Sequence, residues 1–379
     1  MQLTELALTN WRSYESAHIF PHGLLNVLLG ANGQGKTNLM EAVWYLCNGH
    51  NFRGNKDTEL IRWEAPFLRV QGAFRLEGSR RLYQETLYAD SARKKSVVLN
   101  GVRYRRVSQL PQRLRAVLFT PDDLAVIKGA PAERRRFLDD ELANLDESDL
   151  LLRRNYEKIL SQRNELLREI RTRRARREEL EVWNVQLVRY GTALILHRLA
   201  LLRVLVPRAR RIHARLCGAD RHFDVTYQSS LGAAGDETAL QACFFEQLRA
   251  HEEEEVARGV SLFGPHRDDL LFYEAGADLR VFGSQGQQRT AVLAMKTAVL
   301  DVIESRFEER PLFLLDDVMS ELDAERQRAV MDIVLEKHIQ TFLTGTAIDL
   351  PAGLDYDPVF LVQGGTVSPR AGHRPPAST

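Results

Sequence analysis

The stretch that most narrows what this chain can become is Gly30-Ala31-Asn32-Gly33-Gln34-Gly35-Lys36-Thr37. It fits G-x-x-x-x-G-K-[ST] and stands between an apolar run that ends at a glycine, LLNVLLG, and a segment with helical spacing at Leu39, Val43 and Leu46. A glycine-rich turn from strand to helix is the plain alternative. The context argues for more, because the glycines let successive N–H groups face a phosphate while the helix N-terminus adds its positive end. Lys36 then offers a point charge to the β- and γ-phosphates of a nucleotide, and the Thr37 hydroxyl an oxygen to Mg²⁺.

A loop of this kind needs a carboxylate at the end of a buried strand, and Leu312-Phe313-Leu314-Leu315-Asp316-Asp317 offers two. Asp316 suits the acid that holds Mg²⁺ through water, and Asp317 the one that orients or deprotonates an attacking water. The same pair can instead cap a helix, since Ser320-Glu321-Leu322-Asp323 and a helical pattern follow.

Around these motifs the pattern alternates. Strands LTELAL and LLNVLLG open the chain, and turn-punctuated segments between 68 and 104, with Asn100-Gly101 among the turns, read as antiparallel hairpins. From 133 to 216 the pattern is helical; Leu152, Tyr156, Ile159, Arg163, Leu166 and Ile170 form one stripe, and Pro207 is expected to break or kink the helix at that point. Residues 217 to 240 read as loop, EEEE at 252 to 255 as a solvated helix face, and DDLLFYE and DLRVFG as strands. Helix, LFLLDD, helix and QTFLTGT then restore strand–helix alternation, so the two ends are expected to share one sheet. The fold class expected is α/β, with residues 1–120 and 290–365 as one discontinuous lobe, 121–289 as an inserted helical lobe with a short arm, and 366–379 as a disordered tail.

Cys47, Cys217 and Cys243 lack metal or disulfide spacing and read as small buried hydrophobes. No run approaches the ~18 uninterrupted apolar residues of a membrane span, and no signal-peptide pattern opens the chain, so a cytoplasmic protein without a membrane partner is expected. The net charge of +1 hides blocks of opposite sign: ten Lys/Arg against two acids in 80–115, ten against three in 151–177, and twelve acids against five bases in 301–349. The basic blocks, with Lys94, Lys95, Arg103, Arg105 and Arg106 in the hairpins and arginines of 203–215, either line a face for a polyanion or are solvated surface.

GSQGQQR, residues 283 to 289, has no metal ligand, no nucleophile with a base and nothing to fill a core. Ahead of a long apolar helix, Ser284 and Gly286 can present a hydroxyl and free N–H groups to an anion, or Ser284 can simply cap the helix. The chain already has one anion site. A second makes sense facing the γ-phosphate held by another copy, in a head-to-tail pair.

The order of phosphate loop, Ser-x-Gly-Gln signature, LLDD and Ser320-Glu321-Leu322-Asp323 resembles the ABC-type ATPase heads. It is most similar to the RecF family of recombination mediators, related to SMC-type heads, through Asn10-Trp11-Arg12-Ser13-Tyr14, FTPDDLAVIKGAPAERRRFLD, GPHRDDL, GSQGQQR and LLDDVMSELD. The resemblance implies a head of ABC type that binds ATP and Mg²⁺. It further implies Arg12 near the phosphates, Ser284 and Gly286 on the γ-phosphate in trans, and an ATP-dependent homodimer. A weak DNA-dependent ATPase that binds double-stranded DNA and acts with RecO and RecR completes that expectation. This chain departs from ABC proteins at large in having Ser-Gln-Gly, Asp317 in place of Glu, and Thr344-Gly345-Thr346 where a switch histidine would stand, which points to slow hydrolysis. Asp122 and Asp123 fall near the place of a Q-loop glutamine. A transporter ATPase subunit and a non-hydrolysing scaffold share the nucleotide motifs, but a transporter subunit has no need of a basic helical insertion.

Overall fold

The computed structural model describes residues 1–52, 57–76, 81–89, 94–105, 109–110, 114–218, 220–232, 235–346 and 358–370. The chain opens with β1 (Gln2–Trp11), β2 (Tyr14–Ile19), β3 (Leu25–Leu29) and, after the phosphate loop, α1 (Lys36–Asn48). Strands β4 (Phe67–Arg75), β5 (Arg81–Ala89), β6 (Lys94–Leu99), β7 (Val102–Tyr104) and β8 (Ala116–Phe119) follow. Helices α2 (Ala125–Lys128), α3 (Pro131–Leu145), α4 (Glu147–Arg171) and α5 (Leu180–Cys217) lead into β9 (Phe223–Gln228), α6 (Glu237–Ala250) and α7 (Glu252–Arg258). Next come β10 (Asp269–Glu274), β11 (Ala277–Asp278), α8 (Leu279–Phe282) and α9 (Gln285–Phe307). The chain closes with β12 (Leu312–Leu315), α10 (Ala324–Glu336), β13 (Thr341–Gly345), β14 (Val359–Gln363) and β15 (Thr366–Pro369).

Two compact units result. The first holds Met1–Asp123, Arg215–Cys217 and the chain from Lys296 on, and the second holds Leu124–Ala214 and Gly218–Met295. In the first unit, one sheet runs β15-β14-β3-β13-β12-β8, with parallel pairing from β14 to β8. Its central strands are buried almost throughout, as expected where both faces are covered. Leu28, Leu118, Leu314 and Phe342 share a core with Leu39, Met40, Val43 and Leu46 of α1, each burial of that kind stabilising by about 1.5–3 kcal/mol. The second sheet is antiparallel, β2-β1-β4-β5-β6-β7, and its β6–β7 turn uses Asn100 at φ 48° and Gly101 at φ 82°, the two positive values a type I′ hairpin requires.

The second unit is built on α3 to α7 around Tyr156, Leu187, Val188, Ile195 and Phe244, with a small sheet β11-β10-β9. By length and composition α5 is apolar enough to cross a membrane, yet half of that stretch is buried within this protein.

Several local expectations are corrected. Helix α5 runs unbroken through Pro207: Arg208 reaches the Val204 carbonyl at 2.7 Å, and Leu205, Val206, Ala209 and Ile212 remain buried, so packing carries the helix past its missing donor. The stretch read as loop between 217 and 240 contains β9, paired along its length with β10. DLRVFG yields only a two-residue strand and then α8, because the Asp278 side chain accepts from the Arg280 N–H and caps a helical turn. Thr366–Pro369, assigned to the tail, is β15 on the sheet edge, with two β-branched residues held by β14. Of the remaining tail, 371–379 lies outside the described residues. Cys47 is buried, whereas Cys217 and Cys243 are only half-buried.

The run of four glutamates is not a uniform solvated face. Glu255 is fully buried and meets Arg163, also fully buried, at 2.6 Å. Arg163 stands in the apolar stripe of α4 because its guanidinium is satisfied throughout: Nε donates to Asn184 Oδ1 at 2.7 Å and Nη1 to Ser261 Oγ at 2.7 Å.

Candidate nucleotide site

Parallel strands place the loops after their C-terminal ends together, and here three of those ends carry chemistry. Strand β3 leads into the phosphate loop, β12 into Asp316 and Asp317, and β13, pairing with both, ends at Thr344 and Gly345. Gly345 accepts a hydrogen bond from the Gly30 N–H at 3.3 Å, which fastens the start of the loop.

The loop's glycines are required by its geometry. Gly33 and Gly35 have φ of 77° and 111°, and a Cβ on Gly30 would stand 2.2 Å from the Val362 carbonyl oxygen. Tyr14 donates from its buried hydroxyl to the Gly35 carbonyl at 2.9 Å, and Gln34 Oε1 accepts from the Gly364 N–H at 2.7 Å. No side chain caps α1, so its first-turn amides face the loop's concavity. Lys36 is buried, with Nζ donating to the Gly30 and Ala31 carbonyls at 2.6 and 3.0 Å.

A cavity of about 330 Å³ lies between Asn32, Gly33, Gly35, Lys36 and Thr37 on one side and Asp316 and Asp317 on the other. The structure therefore brings together the phosphate loop and the paired acids singled out in the sequence. Among the described residues no cluster of three or more His, Cys, Asp or Glu could hold a metal alone. A cation beside Thr37 and Asp316 must complete its shell with phosphate oxygens and water, the donor set that suits Mg²⁺. Asp316 is 5% exposed; its Oδ1 accepts from the Thr344 hydroxyl at 2.7 Å. The Thr344 oxygen in turn accepts from the Asp317 N–H at 2.8 Å. Asp317 adopts φ 54°, a left-handed conformation, and the Ser320 hydroxyl lies 3.0 Å from its carbonyl oxygen and 3.2 Å from its Oδ1. Sequence reasoning misses these supports; the signals for Thr344 are its place at the end of an apolar strand and in the stretch where a switch histidine would stand.

Other expected residues are engaged by partners of their own. Arg12, expected near the phosphates, grips both oxygens of the buried Glu41 of α1 at 2.8 and 2.9 Å and the Glu59 carbonyl at 2.9 Å. Asp123 accepts from the Thr120 N–H at 2.7 Å and pairs with Lys296 at 3.3 Å. Ser284 is exposed, and it forms a reciprocal capping box: its Oγ accepts from the Gln287 N–H at 3.3 Å while Gln287 Oε1 accepts from the Ser284 N–H at 2.8 Å. The helix-cap reading is thus correct, and it leaves the serine O–H proton to donate elsewhere. Gln287 also donates to Glu274 at 2.9 Å and Gln288 to the Leu279 carbonyl at 2.7 Å, which accounts for two of the three glutamines.

The basic residues separate by burial. Arg134, Arg163 and Arg198 are internal, and Lys95 pairs with Asp57 at 2.9 Å beneath the Tyr45 ring. Arg171, Arg173, Arg174, Arg176 and Arg177 are exposed in and beside the α4–α5 turn. Arg106 and the Lys94 side chain lie outside the described residues.

Residues 2–349 match the family model of the RecF/RecN/SMC N terminal domain. The DNA replication and repair protein RecF of Desulforamulus reducens is 42% identical over 346 residues, covering 91% of this chain and 92% of its own. That of Heliobacterium modesticaldum is 36% identical over 372 residues, covering 97% and 99%. Among solved structures, the recombination mediator protein RecF with ATP, of the RecFOR pathway, aligns with a TM-score of 0.86 at 29% identity over 97% of each chain. An SMC head bound to the C-winged helix domain of ScpA aligns at 0.56 and 17% identity over 98% of this chain and 97% of that one, a likeness of fold alone. With likeness running nearly from end to end and not through the phosphate loop only, the chain belongs to the RecF family.

Proposed function

We propose that this chain is an ATP-dependent DNA-binding protein of DNA replication and repair, in which nucleotide closes two copies head to tail on double-stranded DNA. The observation that carries the reading is the cavity between the phosphate loop and the paired acids at the end of β12. ATP enters with its phosphates against the loop amides, and Lys36 leaves the loop carbonyls for the β- and γ-phosphates. Thr37 and Asp316 would hold Mg²⁺, which when bound neutralises phosphate charge. Asp317 orients the attacking water and takes its proton.

Ser284 and Gly286 of a second copy meet the γ-phosphate, the serine donating the proton that its capping bond leaves free. The exposed arginines between Arg171 and Arg177 supply a backbone-binding face that reads no sequence. Asp317 is one methylene shorter than glutamate and Thr344 replaces a switch histidine, so hydrolysis is slow and acts as a release timer. RecO and RecR are the partners that the family likeness brings, and the compartment is the cytoplasm.

Lys36→Met should lose ATP-driven dimerisation in sedimentation velocity, whereas Asp317→Asn should keep it and trap the dimer. If both variants dimerise in ATP as the parent chain does, the site is assigned wrongly.

A further inference from the structure

We propose that Thr344 is a positioning residue whose single hydroxyl aims both acids of the site. The inference rests on the nucleotide-site reading above and deepens it. Strand β13 lies between the phosphate-loop strand and the aspartate strand, with Leu343 opposite Leu315 and Thr344 opposite Leu28. That register sets the residue after Leu343 beside the residue after Leu315. The ladder therefore places Thr344 within side-chain reach of Asp316.

The bonding directions are determined by chemistry. A backbone N–H can only donate, so in the 2.8 Å contact with Asp317 the threonine oxygen is the acceptor. Its one proton is then directed to Asp316 Oδ1 at 2.7 Å. Both groups are removed from water, with Thr344 1% and Asp316 5% exposed. Asp316, held in this way, lines the same cavity as Thr37.

The second bond has a different effect. Asp317 sits at φ 54°, a conformation that residues other than glycine rarely adopt, and the Thr344 oxygen holds its N–H while Ser320 holds its carbonyl. Released from that anchor, Asp317 would relax toward ordinary backbone angles and carry its carboxylate away from the cavity. One atom thus couples the metal-holding acid to the water-orienting acid. This role needs a hydroxyl on a short side chain.

The test compares Thr344→Val, which keeps shape and loses the hydroxyl, with Thr344→Ser, which keeps the hydroxyl. Binding of a fluorescent ATP analogue is measured with EDTA and across a Mg²⁺ titration, and hydrolysis is measured with duplex DNA. Thr344→Val should bind nucleotide without metal as the parent chain does, since that contact belongs to Lys36 and the loop. Its half-saturating Mg²⁺ should rise about ten- to a hundredfold, with a fall in kcat of similar size, as when partners of metal ligands are removed. Thr344→Ser should restore both. Combined with Asp316→Asn, the valine variant should add nothing further to the Mg²⁺ defect, because it acts through that carboxylate.

Valine and parent behaving alike would overturn the inference, as would serine failing as badly as valine, or additive defects in the double variant. Should Thr344→Val not fold, Thr344→Ala carries the same expectations against the same serine control. A parent chain with no Mg²⁺-dependent nucleotide binding at all would instead sink the nucleotide-site reading, and this inference with it.

Discussion

Replacing Arg163 by methionine should destabilise the second unit by about 3–5 kcal/mol, the usual consequence of leaving one partner of a buried ion pair behind. Methionine keeps the stem of the side chain packed between α4 and its neighbours, so the loss isolates the guanidinium. Glu255, fully buried, would keep only the Leu262 N–H at 2.7 Å as a partner for its carboxylate. Asn184 Oδ1 would lose its donor, whereas Ser261 would still have Asn164 Oδ1 at 2.8 Å. With a urea m-value of about 2–3 kcal/mol/M, the unfolding midpoint should fall by roughly 1–2.5 M. Hydrogen exchange read on peptides from α4, α5 and α7 during a urea series assigns the loss to this unit and separates it from the first. Replacing both Arg163 and Glu255 by methionine should cost less than the single change, because no uncompensated charge remains. A single-variant loss under about 1 kcal/mol, or a double variant no better than the single, would refute this account of why an arginine stands in an apolar stripe.

Reversing Arg171, Arg173 and Arg174 to glutamate should weaken duplex binding equally for unrelated sequences and flatten the slope of log affinity against log salt by about 0.9 for each phosphate no longer neutralised; an unchanged slope moves the DNA face away from this turn. Ser284→Arg should leave nucleotide binding by the monomer intact and abolish ATP-dependent dimerisation, and a mixture with Lys36→Met should recover part of it, since one site then joins an intact loop to an intact signature. Loss of monomer binding in Ser284→Arg would end the head-to-tail reading. His266 accepts from the Tyr156 hydroxyl at 2.6 Å and donates to the Ser261 carbonyl at 3.1 Å, and burial pushes its pKa down to about 4. The unfolded chain, with a histidine near 6.5, binds the extra proton first, so this contribution is whole above pH 6.5 and is lost as pH falls toward 4. Between pH 7 and 5 it should remove about 2 kcal/mol of unfolding free energy, and His266→Gln should lack that drop. The same pH slope in both proteins would contradict it.

The site is legible where the chemistry is local. Gly30 to Thr37 and Leu312 to Asp317 each carry their context of strand and turn within a dozen residues, and the cavity joins them. Other features are set by partners distant in sequence. Nothing near Thr344 announces that Asp316 needs a donor, because the ladder brings together residues 28 apart. Arg163 looks like any other arginine of a basic helix until Glu255, 92 residues on, is set opposite it. The hairpin over Gly364 and Gly365 escapes notice because a four-residue strand has too little periodicity to outweigh the polar tail beside it. Pro207 misleads for a related reason, since local propensity is a weak prior once both flanks are buried.

The sheet order imposes a schedule on synthesis. Strand β3 is made among the first thirty residues, yet both strands that pair with it, β13 and β14, begin at Thr341 and Val359. At the usual ~5–20 residues per second, the apolar segment LNVLL waits roughly 15–60 s for its first neighbour. Until then the phosphate loop has no Gly345 carbonyl to fasten its start and no Gly364 amide for Gln34. A nascent chain therefore has no complete nucleotide site for ATP to stabilise until β14 is made, and over that interval β3 has no strand partner in its sheet.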